Sequence, residues 1–401
     1  MKATMKIRMM AAGAVCLCAA LSASATENVW TYSASGTTYT ITDGQWTLKV
    51  GKLAATNTSL KVTGISTWAE PATDSDKKGV LDLRSPLTVT VDGATATITS
   101  VEVGKSAFVS SSLVAFYCDL ISSMDAGGYC FANNANLTRL EIGGSAEIFP
   151  GLITMNDSAL TDAKFNFPNL RQVGNTAGNT ILGATSSLNP IDIATVATPG
   201  VTNVLKGAYA HAKLCGDLVL TNVMAIGDRA FEGAALTNVT LTGSLAALPA
   251  DAFKGAGSTI TITNVVLDLP NLESIAATAF SGQKYIRSIE LVSAFSDMGQ
   301  ITNILKEVKT SQNWQLATAT GCRVYISKRQ WTKEARETAT QAGYFTSAFN
   351  DKETAMIKGD NADPTLAKAY GMITVGNLNK AFVVDKPSPH DKIPGLIIII
   401  Q

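Results

Sequence analysis

A motif that returns at steps of 22 residues restricts what this chain can fold into more than any other feature. An aliphatic residue, three variable residues, a small residue and an aromatic recur as Val103…Ala107-Phe108, Val204…Ala208-Tyr209, Ile226…Ala230-Phe231, Leu248…Ala252-Phe253 and Ile275…Ala279-Phe280. The aromatic positions 209, 231 and 253 are 22 apart, the step to Phe280 is 27, and Tyr129-Cys130-Phe131 is a diverged copy 23 after Phe108. A fixed period of this length marks units that stack on one another. Three copies continue as aromatic-x-Gly: Phe231-Glu232-Gly233, Phe253-Lys254-Gly255 and Phe280-Ser281-Gly282. Glycine at that offset suits a short helical turn that ends in a left-handed conformation. Pro249 sits where a first-turn proline is tolerated.

Between the aromatic turns the apolar residues alternate. Leu236, Val239 and Leu241 define the pattern, and Leu218/Leu220, Ile260/Ile262, Ile289/Leu291, Leu137/Leu140/Ile142 and Leu113/Phe116/Cys118 are matched to it. Alternation over so few residues predicts a short strand with one buried face. One such unit cannot bury its own apolar face, whereas stacked copies can. A unit that hides four or five large side chains at ~1.5–3 kcal/mol each gains roughly 6–15 kcal/mol before chain entropy opposes it. The expected fold is a β-rich repeat solenoid with a short strand and a short helical turn per repeat.

The strand Leu236-Thr237-Asn238-Val239-Thr240-Leu241 followed by Leu248-Pro249-Ala250-Asp251-Ala252-Phe253-Lys254-Gly255 resembles the BspA-like leucine-rich-repeat family of bacterial surface proteins. The resemblance covers about residues 100–295, with a poorly matching stretch at 150–200. It implies a curved solenoid, secretion or surface display, and binding of proteins or glycans rather than catalysis.

The flanks read differently. Lys2, Lys6 and Arg8 precede an apolar run from Met9 to Leu21, and Ala23-Ser24-Ala25 fits a cleavage site, so residues 1–25 read as a signal peptide and Thr26 as the mature start. Val15 and Leu17 are bulky where a lipid-anchored Cys16 or Cys18 would need small neighbours. Residues 26–99 read as an N-terminal β-rich cap, with Trp30, Tyr32, Tyr39, Ile41, Trp46, Leu48 and Val50 in alternating segments and turns at Asp43-Gly44 and Asp92-Gly93. Residues 100–299 form the array. Residues 300–401 read as a C-terminal α+β cap: a strand at Arg323-Val324-Tyr325-Ile326, a helix after Ser327 through Trp331, Ala335 and Ala339 to Gly343, and late strands at Val383-Val384 and Leu396 to Ile400. No apolar run after the signal is long enough to span a bilayer. Lys plus Arg and Asp plus Glu number 32 each, without a basic stripe, which argues against nucleic-acid partners.

No residue pattern selects a catalytic, cofactor-binding or metal site. The two histidines, His211 and His390, sit in a repeat turn and beside Pro389. Ser75-Asp76-Lys77-Lys78 has Ser-x-x-Lys spacing without a Ser-Asp-Asn partner motif. Lys105-Ser106 and Gly255-Ala256-Gly257 lack the remaining glycines of nucleotide-binding loops, and Asp74/Asp76 and Asp360/Asn361/Asp363 lack calcium-loop spacing. The outward strand row is expected at Tyr117, Glu141, Val219, Thr240, Thr261 and Glu290, beside a row of Thr221, Thr242 and Thr263. It offers a single aromatic and is a poor sugar site; the aromatic-rich segment 26–50 is the better one. Cys118, Cys130, Cys215 and Cys322 are expected as free buried thiols, since the register puts the first three at the positions of Leu241, Ala252 and Leu236. The chain is thus expected to be a non-enzymatic, secreted or surface-held adhesion protein that binds an extracellular protein or glycan, without a cofactor. The alternatives are a structural component of an envelope layer, or a hydrolase with its site in a terminal region.

Overall fold

The computed structural model describes residues 28–71 and 78–292, apart from 151–153, 156–159, 183–189, 198–199 and a few single positions, together with strands 322–326, 369–375 and 379–384. Residues 28–68 and 87–98 supply six strands of an eight-stranded sheet. Asn28–Ser35, Thr38–Thr42, Trp46–Val50 and Ser59–Trp68 make an antiparallel meander. The turn at Asp43-Gly44 forms as expected, with the Asp43 carboxylate accepting from the backbone N–H of Gln45 (2.8 Å) and Trp46 (2.6 Å). Leu87–Val91 and Ala94–Ile98 form a second hairpin around Asp92-Gly93, both with positive φ, as this tight turn requires. Trp30 and Trp46 are core residues, and Trp46 Nε1 donates to the Val80 carbonyl at 2.6 Å. Ser59–Trp68 also pairs in parallel with Ser100–Val103, which pairs with Ile121–Met124. The meander and the first coil therefore share one sheet, and the meander covers what would otherwise be an open solenoid end.

From there the chain winds as a solenoid of parallel strands. Val80–Asp82, Ala115–Cys118, Arg139–Gly143 and Asp162–Asn166 form one ladder. Ile191–Asp192, Leu214–Val223, Ala235–Gly243, Asn264–Asp268, Ser288–Leu291 and Cys322–Ile326 form the next. A second row of two-residue strands carries the aliphatic residue of the repeat. Ile148–Phe149, Gln172–Val173, Asn203–Val204 and Ala225–Ile226 pair in register, and Ala247–Leu248 pairs with Ser274–Ile275. This second row runs unbroken past the point where the main sheet divides. The stretch 150–200, irregular in sequence, still contributes a coil: Leu160, Ala163 and Phe165 point inward, and the rings of Phe165 and Phe167 pack edge-on against Phe149.

The aromatics stack as a column. Tyr209, Phe231, Phe253 and Phe280 are buried, with successive ring centroids 5.3, 5.3 and 5.0 Å apart and nearly parallel planes. Phe108 and Phe131 repeat the arrangement at 5.1 Å. The small residue before each ring lets neighbouring turns touch: Ala208, Ala230, Ala252 and Ala279 are fully buried.

The short helical turn expected in each repeat is not formed. Among the described residues the only helical pieces are two 3₁₀ turns of three residues each, Ile193–Thr195 and Gly257–Thr259. The residue before the small one is left-handed, at φ 59° in Arg229 and 55° in Asp251, which breaks any helical run. The N–H groups point to the next coil instead: Tyr209 donates to Ala230 O, Phe231 to Ala252 O and Phe253 to Ala279 O, at 2.7–2.8 Å.

Two strand assignments change. The strand matched to Ile260 and Ile262 lies at Asn264–Asp268, where Val265 and Leu267 pair with Val239 and Leu241. Of the five residues that lengthen this repeat to 27, four enter before the strand, around the 3₁₀ turn, and one after it, so Ile262 takes the place of Leu236. The C-terminal α+β cap is not supported either. Cys322–Ile326 continues the main sheet beside Ser288–Leu291, with Val324 opposite Ile289, because its alternation matches the preceding coil. Asn379–Val384 pairs next to it and forms a hairpin with Ala369–Val375. The helix expected after Ser327, the strand at Leu396 to Ile400 and the signal segment lie outside the described residues.

Candidate binding surface

The outward face of the strands presents two rows. Asp82, Tyr117, Glu141 and Lys164 are in register across the first ladder, and Val219, Thr240 and Val266 across the second, where Glu290 continues the register but is buried rather than exposed. Val266 stands where Thr261 was expected, and Asp268 lies opposite Thr242 where Thr263 was expected. Both corrections follow from the shifted strand. Thr261 instead donates its hydroxyl to Leu236 O at 2.7 Å, and Thr263 to Thr237 O at 3.2 Å.

Tyr117 is not an open ring. The Arg84 guanidinium lies 4.6 Å from its centroid and that of Arg139 lies 5.6 Å away. Each cation is held by carboxylates: Arg84 by Asp82, and Arg139 by Asp162 at 3.1 Å. The hydrogen bonds that Arg84 donates to Asp82 keep its pKa above the ordinary value against the opposing effect of burial. An aromatic covered on its face by guanidinium groups has cation–π partners already.

An amide ladder beside the second row escaped the sequence reading. Asn238 Nδ2 donates to Asp217 at 2.7 Å, Asn264 Nδ2 to Asn238 Oδ1 at 2.6 Å, and the Ser288 hydroxyl to Asn264 Oδ1 at 2.6 Å. This side-chain ladder runs across four coils whose strands also pair through the backbone. Two buried amides repair the turns. Asn134 Nδ2 donates to Phe108 O (2.7 Å) and Phe131 O (2.9 Å), while its oxygen accepts from Ser110 N (2.7 Å). Gln283 Nε2 donates to Phe253 O (3.1 Å) and Thr259 O (3.2 Å). Each stands three residues after its aromatic, where the other coils carry Ala212, Ala234 and Ala256. A polar side chain at that phase of the repeat was the signal in the sequence.

The turn edge carries a charge cluster over three coils. Glu232 is largely buried and is bonded by Arg229 Nε and by Lys254 Nζ at 3.3 Å; Lys254 also reaches Asp251 at 3.4 Å. Burial pushes the Glu232 carboxyl up, but the hydrogen bonds and charges of Arg229 and Lys254 outweigh it and hold it below the usual carboxylate range. His211 occupies the left-handed position (φ 58°) that Gly233 and Gly282 fill in later coils. Its Nε2 lies 3.4 Å from Arg229 Nη2 and 3.7 Å from Glu232.

The other singled-out residues are not brought together. Lys78 pairs with Glu70 at 2.5 Å, while Ser75, Asp74, Asp76, His390, Asp360, Asn361 and Asp363 lie outside the described residues. Lys105 lies over the Tyr129 ring at 5.9 Å, and Ser106 is a left-handed turn residue. Gly255 packs against Gln283, and Gly257 opens a 3₁₀ turn. No group of three or more metal-ligating side chains occurs among the described residues.

Cys118, Cys130 and Cys215 are free. Cys118 and Cys130 are buried as expected, and burial pushes both thiols up to about 12. Cys215 is not in Leu236's place. The partner strand carries one extra residue, Thr237, so Leu236 faces Gly216 and Cys215 faces Ala235 in a half-exposed position. Cys322 lies in a strand of the main sheet.

Residues 202–306 match the family model for the BspA type leucine-rich repeat region, which is present in six copies. No curated protein and no solved structure matches the chain. The match covers the coils in which the aromatic column, the amide ladder and the in-register outward row coincide, and these repeats belong to the BspA-type leucine-rich-repeat family.

Proposed function

We propose that this chain is an exported or surface-held protein that uses its leucine-rich-repeat solenoid to bind another protein. The observation that carries the reading is the in-register outward row Val219, Thr240 and Val266 within family-matched coils. Repeat solenoids use such extended surfaces for interaction. A protein partner fits better than a glycan. The aromatic among the described side chains of the outward rows, Tyr117, already has the guanidinium groups of Arg84 and Arg139 at 4.6 and 5.6 Å from its ring centroid, so a sugar ring would compete with them for stacking there.

Export through residues 1–25 is part of the proposal. The exported chain should begin at Thr26 by N-terminal sequencing; a mature chain that keeps its first residues contradicts it. The full chain, immobilised, should capture at least one member of a panel of purified extracellular-matrix proteins. Val219→Arg with Thr240→Arg should abolish that capture and leave the thermal midpoint unchanged. Capture confined to a glycan array, or capture insensitive to both substitutions, overturns the assignment.

A further inference from the structure

We propose that a notch on the turn edge holds a single carboxylate from an acidic segment of the protein partner; this rests on the protein-binding reading above. The notch has a volume of about 130 Å³ and is lined by Gly178, Thr180, Lys206, Gly207, His211 and Arg229, with Ala210 at its side. It lies beside the aromatic column, so its floor is the rigid stacked backbone of two adjacent coils: Gly207 N donates to Asp228 O at 2.9 Å and Tyr209 N to Ala230 O at 2.8 Å.

The chemistry of the lining is one-sided. Among the described residues it contains two permanent cations and an imidazole, and no carboxylate. Lys206 is exposed and has no ion pair among the described residues. Arg229 uses Nε for Glu232 and directs Nη2 at His211, which leaves further N–H groups of the planar fork. Glu232 itself is drawn inward and tied down by Arg229 and Lys254, so it fixes the guanidinium in place. The Thr180 hydroxyl proton is shared between Leu182 O (3.1 Å) and Ala208 O (3.3 Å), so binding in the notch falls to the cations. A preoriented guanidinium beside a free ammonium is the arrangement that recognises a carboxylate by charge-assisted hydrogen bonds.

Size limits what can enter. Pockets that enclose whole small molecules measure about 300–1,000 Å³, well above this notch. It accommodates one anionic group at the end of a larger body, as an acidic side chain of a bound protein supplies. Placed at the turn edge, such an anchor fixes the rotation of a partner lying along the coils, which the Thr- and Val-rich outward row does not do.

The two histidines make the test direct, because the imidazole proton spectrum of the full chain carries only two sets of signals. His211→Gln assigns one of them. The probes are an acetylated, amidated tetraglutamate peptide, the matching tetraglutamine peptide, and inorganic phosphate, all at fixed pH and ionic strength. The tetraglutamate peptide should shift the His211 signals saturably and leave those of His390 in place. The tetraglutamine peptide should shift neither. Lys206→Gln, an exposed substitution outside the stacked core, should weaken the peptide at least tenfold. No saturable shift, equal affinity in Lys206→Gln, or phosphate binding tighter than tetraglutamate each overturns the assignment. Val219→Arg with Thr240→Arg, which tests the outward row, should leave this titration unchanged, so the two readings fail separately.

Discussion

Single side chains carry distinct kinds of stability in this solenoid. Phe253 stacks between Phe231 and Phe280, and Phe253→Ala should cost ~3–5 kcal/mol in chemical denaturation, as emptying an aromatic core site does. A shift below about 1 kcal/mol would remove the column from the core. Asn134 is a polar residue in an apolar place and satisfies Phe108 O, Phe131 O and Ser110 N at once. Asn134→Leu is near in size but leaves those groups without a partner. At ~1–3 kcal/mol for each, the loss should be at least about 3 kcal/mol. Glu232 links stability to pH. Its folded pKa lies below its unfolded value, so its contribution is fully present above the unfolded carboxyl range of about 4–5 and is lost as the pH falls through the folded value. Glu232→Gln should flatten the acid limb of stability against pH and lower stability at pH 7. An unchanged acid limb would place Glu232 outside the linkage. The thiols order by burial: Cys215 should be alkylated in the native state well before Cys118 and Cys130, as mapped by mass spectrometry, because burial raises those two to about 12. Cys118 or Cys130 labelled as fast as Cys215 would contradict their burial.

At the scale of the element, the sequence showed what each strand buries but not always where it starts. Leu236, Val239 and Leu241 predicted their strand because alternating apolar residues face one side of a sheet. The same rule misplaced the next strand. Ile260 and Ile262 alternate as well as Val265 and Leu267 do, and only pairing with Val239 and Leu241 decides between them. Cys215 was misplaced by the same blindness, since the extra residue Thr237 is visible only against the partner strand. The helical turns failed because a left-handed Arg229 or Asp251 has no compositional mark as a glycine would. The amide ladder was hidden for a related reason: Asn238 and Asn264 read as polar strand residues until the register sets them side by side. Of the candidate surface, the outward positions Tyr117, Glu141, Val219 and Thr240 were legible from alternation alone, whereas Glu290 keeps the register but is buried. The Glu232 cluster and the notch were not, because Lys206, His211, Arg229 and Lys254 come from three successive repeats and meet only when the coils stack.

For the molecule as a whole, one property governs the surface: the coils are in register, with each outward residue directly beside its counterpart. Neighbouring strands lie about 4.8 Å apart, inside the Cα separation of ~4.4–6.8 Å that a disulfide bridges. A strand shifted by five residues at about 3.3 Å per residue is out of that reach. The alternation of Ile260 and Ile262 pairs Thr240 with Thr261, whereas the structure pairs it with Val266. Two double variants, made with Cys215→Ser to remove the half-exposed thiol, separate these alternatives under mild oxidation. Thr240→Cys with Val266→Cys should close an intramolecular disulfide in nearly all molecules, identified by peptide mapping, and Thr240→Cys with Thr261→Cys should remain reduced. Closure of the second pair and not the first would contradict the stacked register on which the aromatic column, the outward row and the notch all depend.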